Sequence, residues 1–206
     1  LITNAINKTG VDGSVIVENA KGYKSDLTIV EGIQLNRGYM SPYFVNDQDK
    51  MSCVFERCCV LLVNKKIDSM KDIIKPLEKA LESEKQLLLI VDDIDDEALQ
   101  GLVMNKLKGN LKVCVIKSPG FGNSRYDMMH DLACITGGKV FGHSDDIATF
   151  CDEDFGSLKK VLINRSSCML IANNDRLDPI KTRIEQIKKN LSYEAYEDAE
   201  LTTIKY

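Results

Sequence analysis

The sequence predicts an α/β domain. Short apolar runs of strand length recur at Cys59–Val63, QLLLIV (86–91) and LKVCVIK (111–117), separated by stretches of helical periodicity. Alternation of that kind points to a sheet with parallel strands flanked by helices. Size allows it too. The chain has 206 residues, of which 44% are hydrophobic and 28% charged, enough for a real core under a solvated surface.

The elements follow in order. LITNAINKTG (1–10) reads as the last turns of a helix ending at Gly10, with two short strands after it, Ser14–Glu18 and Asp26–Glu31, turning at Gly22. RGYMSPYF (37–44) is a loop. The first strong helix is expected over 67–84, where Ile67, Met70, Ile73, Ile74, Leu77, Ala80 and Leu81 span an arc of about 140°, wider than the stripe a surface helix needs. Pro76 lies inside that pattern and is expected to kink the helix or split it. A second helix, Asp96–Lys108, opens on acidic residues and closes at Gly109; a third, Arg125–Thr136, closes at Gly137-Gly138. KVFG (139–142) is a short strand, KKVLIN (159–164) and CMLIAN (168–173) form a hairpin, and a charged helix runs from Asp178 to about Tyr196. Residues 1–30 are assigned to a neighbouring domain and 31–206 to the core domain.

Composition excludes several function classes. A net charge of −4, with Lys and Arg scattered among acids, argues against nucleic acid, whose binding relies on clustered cations. No apolar run approaches the roughly 20 residues that cross a bilayer, so no membrane association is expected. A start without Met suggests a piece cut from a longer chain. The seven cysteines contain no CxxC, and His130 and His143 are near no Cys pair, so the cysteines read as buried thiols of a reducing compartment rather than a metal site.

Three features carry candidate chemistry. SPGFGNSR (118–125) lies between a strand and a helix, where glycine-rich loops can cradle phosphates. It lacks a third glycine and a Lys-Ser/Thr pair, and reads more simply as a tight turn tucking Phe121 under the sheet. The acids between Asp92 and Glu97 could hold Mg²⁺ or Ca²⁺, but their spacing fits no EF-hand, and acids in a first helical turn are favoured by the helix dipole. Neither histidine has a nucleophile at a catalytic spacing, so no catalytic residue is proposed. The third feature is excess apolar surface. Tyr39, Tyr43 and Phe44 crowd six residues beside Gly38 and Pro42; Leu99, Leu102, Val103 and Leu107 form a stripe, and Met104 falls outside it. More apolar surface than one sheet contact hides suggests an exposed patch, and Met with aromatic residues suits a surface accepting many sequences.

At this point the motifs add a family. VEGIQLNRGYMSPYF (30–44) closely resembles a segment of the group I (GroEL-type) chaperonins. LLVNKKIDSMKDIIKPLE (61–78), the EAL…LVMNKLKG helix (97–109) and VIKSPGFGNSRYDMMHDLACITGGKV (115–140) match as well. The opening 22 residues resemble the intermediate-domain stretch preceding the apical domain, and RIEQIKKNL (183–191) returns to the pattern. Departures are Pro76, one residue later than usual, Met104 in place of a smaller aliphatic, the stretch 141–158 and the C-terminal segment.

The resemblance implies an apical domain, a swivelling sheet core flanked by helices, that binds unfolded polypeptides and a GroES-type co-chaperonin in one apolar groove. Its groove residues would be Tyr39, Tyr43, Phe44, Ile74, Leu77, Leu99, Val103, Met104 and Asn105, so Leu99→Ser or Tyr43→Glu is expected to abolish capture with the fold intact. No cofactor is expected in this piece; ATP and Mg²⁺ would belong to the parent's equatorial domain, which also builds heptameric rings. The alternative is a nucleotide-dependent α/β enzyme using SPGFGNS and the acids 92–97. Reduced thiols and abundant Lys, Asn and Ile point to a mitochondrial matrix or plastid, with a bacterial cytoplasm as the alternative.

Overall fold

The computed structural model describes residues 32–142, 147–173 and 179–189, and Thr3 besides. The chain divides into two compact units, Leu1–Gly32 and Ile33–Tyr206, and the second carries the sheet and helices below. The helix expected over 1–10, the strands Ser14–Glu18 and Asp26–Glu31, and the end of the last helix lie outside the described residues.

Among the described residues seven strands form one sheet: β1 (Ile33–Leu35), β2 (Cys53–Ile67), β3 (Leu87–Ile94), β4 (Val113–Lys117), β5 (Val140–Phe141), β6 (Gly156–Ile163) and β7 (Cys168–Ile171). The longer helices are α1 (Ile74–Glu82), α2 (Asp96–Leu107) and α3 (Asn123–Thr136), followed by helical residues 179–189, α4. The strand order is β1-β7-β6-β2-β3-β4, with β5 also on β2. Strands β5, β2, β3 and β4 pair in parallel, whereas β6, β7 and β1 pair antiparallel, so the sheet is mixed rather than parallel throughout.

Strand β2 joins the two halves. Its first part pairs with β6 from Cys53 to Val60, and its second with β3 from Cys59 to Ile67. Only the apolar Cys59–Val63 was legible as strand, because Glu56 and Arg57 before it and Lys65 and Lys66 after it interrupt the run. Ile67 ends this strand instead of opening a helix. The expected helix is split in two, but before Pro76 rather than at it: a 3-10 turn, Met70–Ile73, precedes α1. Ser69 and Asp72 close it with a capping box, the Ser69 N–H donating to Asp72 Oδ2 at 3.0 Å. Pro76 then falls in the first turn of α1, where its missing N–H leaves no helical bond unmade.

The crossovers place the helices. β2-α1-β3 and β3-α2-β4 step the same way along the sheet, while β4-α3-β5 returns past β3 and β2. Right-handed connections therefore put α1 and α2 side by side on one face and α3 on the other. The sheet is also strongly coiled. Leu35 ends the strand at one edge, yet Tyr39 bridges Ile116 at the other and Met40 N–H donates to Val115 O at 2.9 Å. Four residues reach at most about 14 Å, whereas five flat strand spacings would separate those edges by about 24 Å. Coiling brings them together.

Five of the seven thiols, Cys53, Cys58, Cys59, Cys114 and Cys168, are buried in this core; Cys151 is exposed. Burial pushes the Cys58 thiol up to about 12 and Cys59 up to about 11, and raises Cys114 and Cys168 well above the ordinary range. The native state thus holds these protons after the unfolded chain has lost them. Stability is expected to be flat below pH 9 and to fall between about 9 and 12, by up to about 1.4 kcal/mol per pH unit for each such thiol. Urea midpoints at pH 7.5, 9 and 10 check this; an unchanged midpoint at pH 10 contradicts it.

Candidate functional site

Helix α2 organises the candidate surface. Ala98 and Leu102 are fully buried against the sheet. At about 100° per residue, Leu99, Val103 and Lys106 share one flank, Gly101 lies on the other, and Gln100, Met104 and Leu107 point outward. Contacts on each flank fix the orientation. Lys106 Nζ donates to Tyr43 O at 2.6 Å and to Val45 O at 2.8 Å, so its flank faces the 3-10 turn Pro42–Phe44. Met70, leading into α1, packs on Gly101, where a Cβ would come within 2.9 Å of its Cγ. Helix α2 therefore lies between the aromatic turn and α1.

Helix α1 turns its apolar edge the same way. Lys79 pairs with Asp152 at 3.0 Å on one flank; Ile74 and Leu81, seven residues apart, occupy the opposite one. Large apolar side chains stay in water at Tyr43 (61% exposed), Ile74 (45%), Leu81 (49%), Met104 (53%) and Leu107 (58%). Two strips result. One runs between α1 and α2 from Ile74 and Leu81 to Met104, floored by Met70 and Gly101. The other runs between α2 and the aromatic turn, along the flank that carries the half-buried Leu99 and Val103 and the Lys106 that bonds Tyr43 O.

Not every predicted residue reaches this surface. Phe44 is fully buried, a correction: the 3-10 turn sends Tyr43 out and Phe44 into the core. Leu77 is buried as well, since it falls on the face of α1 shared with Ala80. Tyr39 is half-buried, held in the sheet by its bridge to Ile116 and by its N–H to Asn164 O at 3.2 Å. Asn105 is half-buried with its Nδ2 donating to Gly101 O at 2.9 Å, which occupies it within its own helix. Leu99 packs partly on the core, so Leu99→Ser would cost fold stability and is not a clean probe. Leu81 and Leu107 lie outside the expected groove set, although the seven-residue spacing from Ile74 is signal enough for the first. Lys106 escapes sequence reasoning because a lysine at a helix end reads as solvated surface.

The rival site is built differently. Phe121 is 77% exposed instead of tucked under the sheet, with the Arg37 guanidinium 5.2 Å from its ring centre. Met128 and the Arg125 backbone already crowd Gly120, and positive φ at Gly120 and Gly122 carries the loop outward. The acids beside it are engaged: Asp92 with Arg125, Asp93 with Lys117 at 3.2 Å, and Asp95 with Lys66 at 3.1 Å. The hydrogen bond from Lys117 holds the Asp93 carboxyl below its ordinary value. Asp95 occupies the cap position of α2 but makes no capping bond. Among the described residues, no three His, Cys, Asp or Glu side chains converge as a metal site, and no helix is long and apolar enough to cross a membrane.

A cavity of about 440 Å³ between Leu35 and α3 is lined by Pro119, Gly120, Met128 and Leu132; Asp131 at its wall is bonded to Arg183 at 2.7 Å. It contains none of the predicted groove residues. A scan against models of known protein families finds none that matches the chain.

Proposed function

We propose that this chain is a polypeptide-holding module, the apical domain of a group I chaperonin, which captures non-native chains through the apolar strips flanking α2. The observation that carries the reading is the exposure of Tyr43, Ile74, Leu81, Met104 and Leu107, which lie on α1, on α2 and in the turn that Lys106 of α2 holds. Isolated exposed apolar residues need no explanation, but five on two helices and the turn held to one of them support an interaction surface. The long motif resemblance supports the same assignment.

Binding would draw on removal of apolar surface from water, roughly 25 cal/mol per Å². An extended or helical segment laid along α2 would place its anchors in one strip or both. Met104 adapts its shape to different anchors without demanding hydrogen bonds. A GroES-type co-chaperonin would compete for the same strips, and ATP with Mg²⁺ would act in an equatorial domain of the parent, which would assemble as a heptameric ring.

The test is fluorescence anisotropy of a labelled, reduced and alkylated polypeptide titrated with the purified chain. Saturable binding of the unfolded form, absent for its native form, is expected; equal behaviour of the two overturns the proposal. Calorimetric titration with ATP-Mg²⁺ addresses the nucleotide-dependent enzyme, which a stoichiometric heat would favour.

A further inference from the structure

We propose that Lys106 is a positioning residue that locks the Tyr43 turn against α2 and so sets the affinity of the polypeptide strip without touching the polypeptide. The inference rests on the polypeptide-holding reading and deepens it. Two observations carry it. First, the Lys106 ammonium donates to two carbonyls of one short segment, Tyr43 O at 2.6 Å and Val45 O at 2.8 Å. Both acceptors belong to the 3-10 turn or its end, where Val45 N–H also bonds Pro42 O. One cation therefore bridges the turn to the last turn of α2, sixty-odd residues along the chain.

Second, the lysine does this in the wall of a surface cleft, where the turn is not fully backed by packed side chains. A cleft of about 290 Å³, partly open to solvent, lies beside the turn, lined by Phe44, Asn46, Phe55, Lys106, Leu111 and Lys112 among others. Phe44 anchors the turn from below and the Tyr39–Ile116 bridge anchors its approach, while the carbonyl edge facing α2 is held by the ammonium. Without that ammonium, Tyr43 keeps its side chain but loses its place. A turn that must be ordered when ligand arrives adds an entropy cost to binding, whereas a preordered one does not. The charge also sits in the last turn of α2, where the helix dipole favours a cation. An arginine can repeat both hydrogen bonds; a methionine has the length but no donor.

The experiment uses Lys106→Met and Lys106→Arg with the labelled unfolded polypeptide. Lys106→Met is expected to weaken binding on the order of 5- to 20-fold, as loss of charge-assisted hydrogen bonds permits, and Lys106→Arg to restore most of it. The chain has no tryptophan, so Tyr43→Trp supplies a single reporter of turn mobility. In that background Lys106→Met should raise acrylamide quenching and lower anisotropy, with thermal unfolding little changed. Wild-type affinity in Lys106→Met, or equal loss in both variants, overturns the clamp. If the wild-type chain itself fails to bind, the polypeptide-holding reading falls, while the tryptophan readout still decides whether Lys106 orders the turn.

Discussion

Tyr43→Glu and Met104→Glu are each expected to weaken capture of an unfolded polypeptide by about tenfold or more while shifting the melting temperature by no more than about 2 °C. The two side chains are 61% and 53% exposed, so neither supplies much of the core. A carboxylate in their place meets water in the free protein at little cost. In the complex it would have to be desolvated against apolar anchors without a partner, which is strongly unfavourable. Polypeptide anisotropy with a parallel thermal melt separates the two effects. Full-affinity binding by both variants counts decisively against the strips. The pair also resolves geometry, because Tyr43 borders the strip toward the aromatic turn and Met104 the one toward α1. If only one variant loses binding, the ligand occupies one strip; comparable losses mean it crosses α2.

Much of this surface was legible in the sequence because helical periodicity turns a residue count into an angle. Met104 stands outside the stripe that a sheet contact would bury, and Ile74 belongs to an apolar arc wider than one contact hides; both are exposed. Where the reading failed, a single local choice decided. Tyr43 and Phe44 are adjacent in a 3-10 turn, so one must point away from the other, and composition cannot say which. Leu77 enters the groove set through the resemblance, although it shares the inner face of α1 with Ala80, a point periodicity alone could have settled. Phe121 shows the reverse error: the glycines on either side allow positive φ, and that freedom swings the ring outward as easily as inward.

The fold was legible at its middle and less so at its margins. Alternation of strand and helix from β2 to α3 follows the apolar runs directly. In the antiparallel half the β6–β7 hairpin was legible as well, but β1 was not, since it is three residues long and finds β7 only through pairing over more than 130 residues. Nothing local encodes such a contact. The same holds for the coiling that brings residues 36–40 from one edge of the sheet to the other, which depends on the packing of all seven strands.

That crossing rests on Gly38, and Gly38→Ala is the substitution expected to damage the fold most. A Cβ there would fall inside the contact radii of the Arg165 and Asn164 carbonyl oxygens, both backbone atoms just after β6. Neither can swing aside as a side chain would. The neighbouring Tyr39 N–H bonds to Asn164 O at 3.2 Å, so displacing one strand of chain from the other also breaks this bond and the Tyr39–Ile116 bridge beyond it. A loss of about 3–5 kcal/mol is expected, read as a lowered urea midpoint or as failure to fold. Gly101→Ala is the control. Its Cβ meets only Met70, with Cγ at 2.9 Å and Sδ at 3.1 Å, the flexible end of a side chain half in solvent. Helix propensity returns up to about 1 kcal/mol at such a position, so the net change should lie within about 1 kcal/mol of wild type. A stable Gly38→Ala protein would mean that the segment carrying Tyr43 does not pass this close to β6, and the placement of the aromatic turn beside α2 would lose its support.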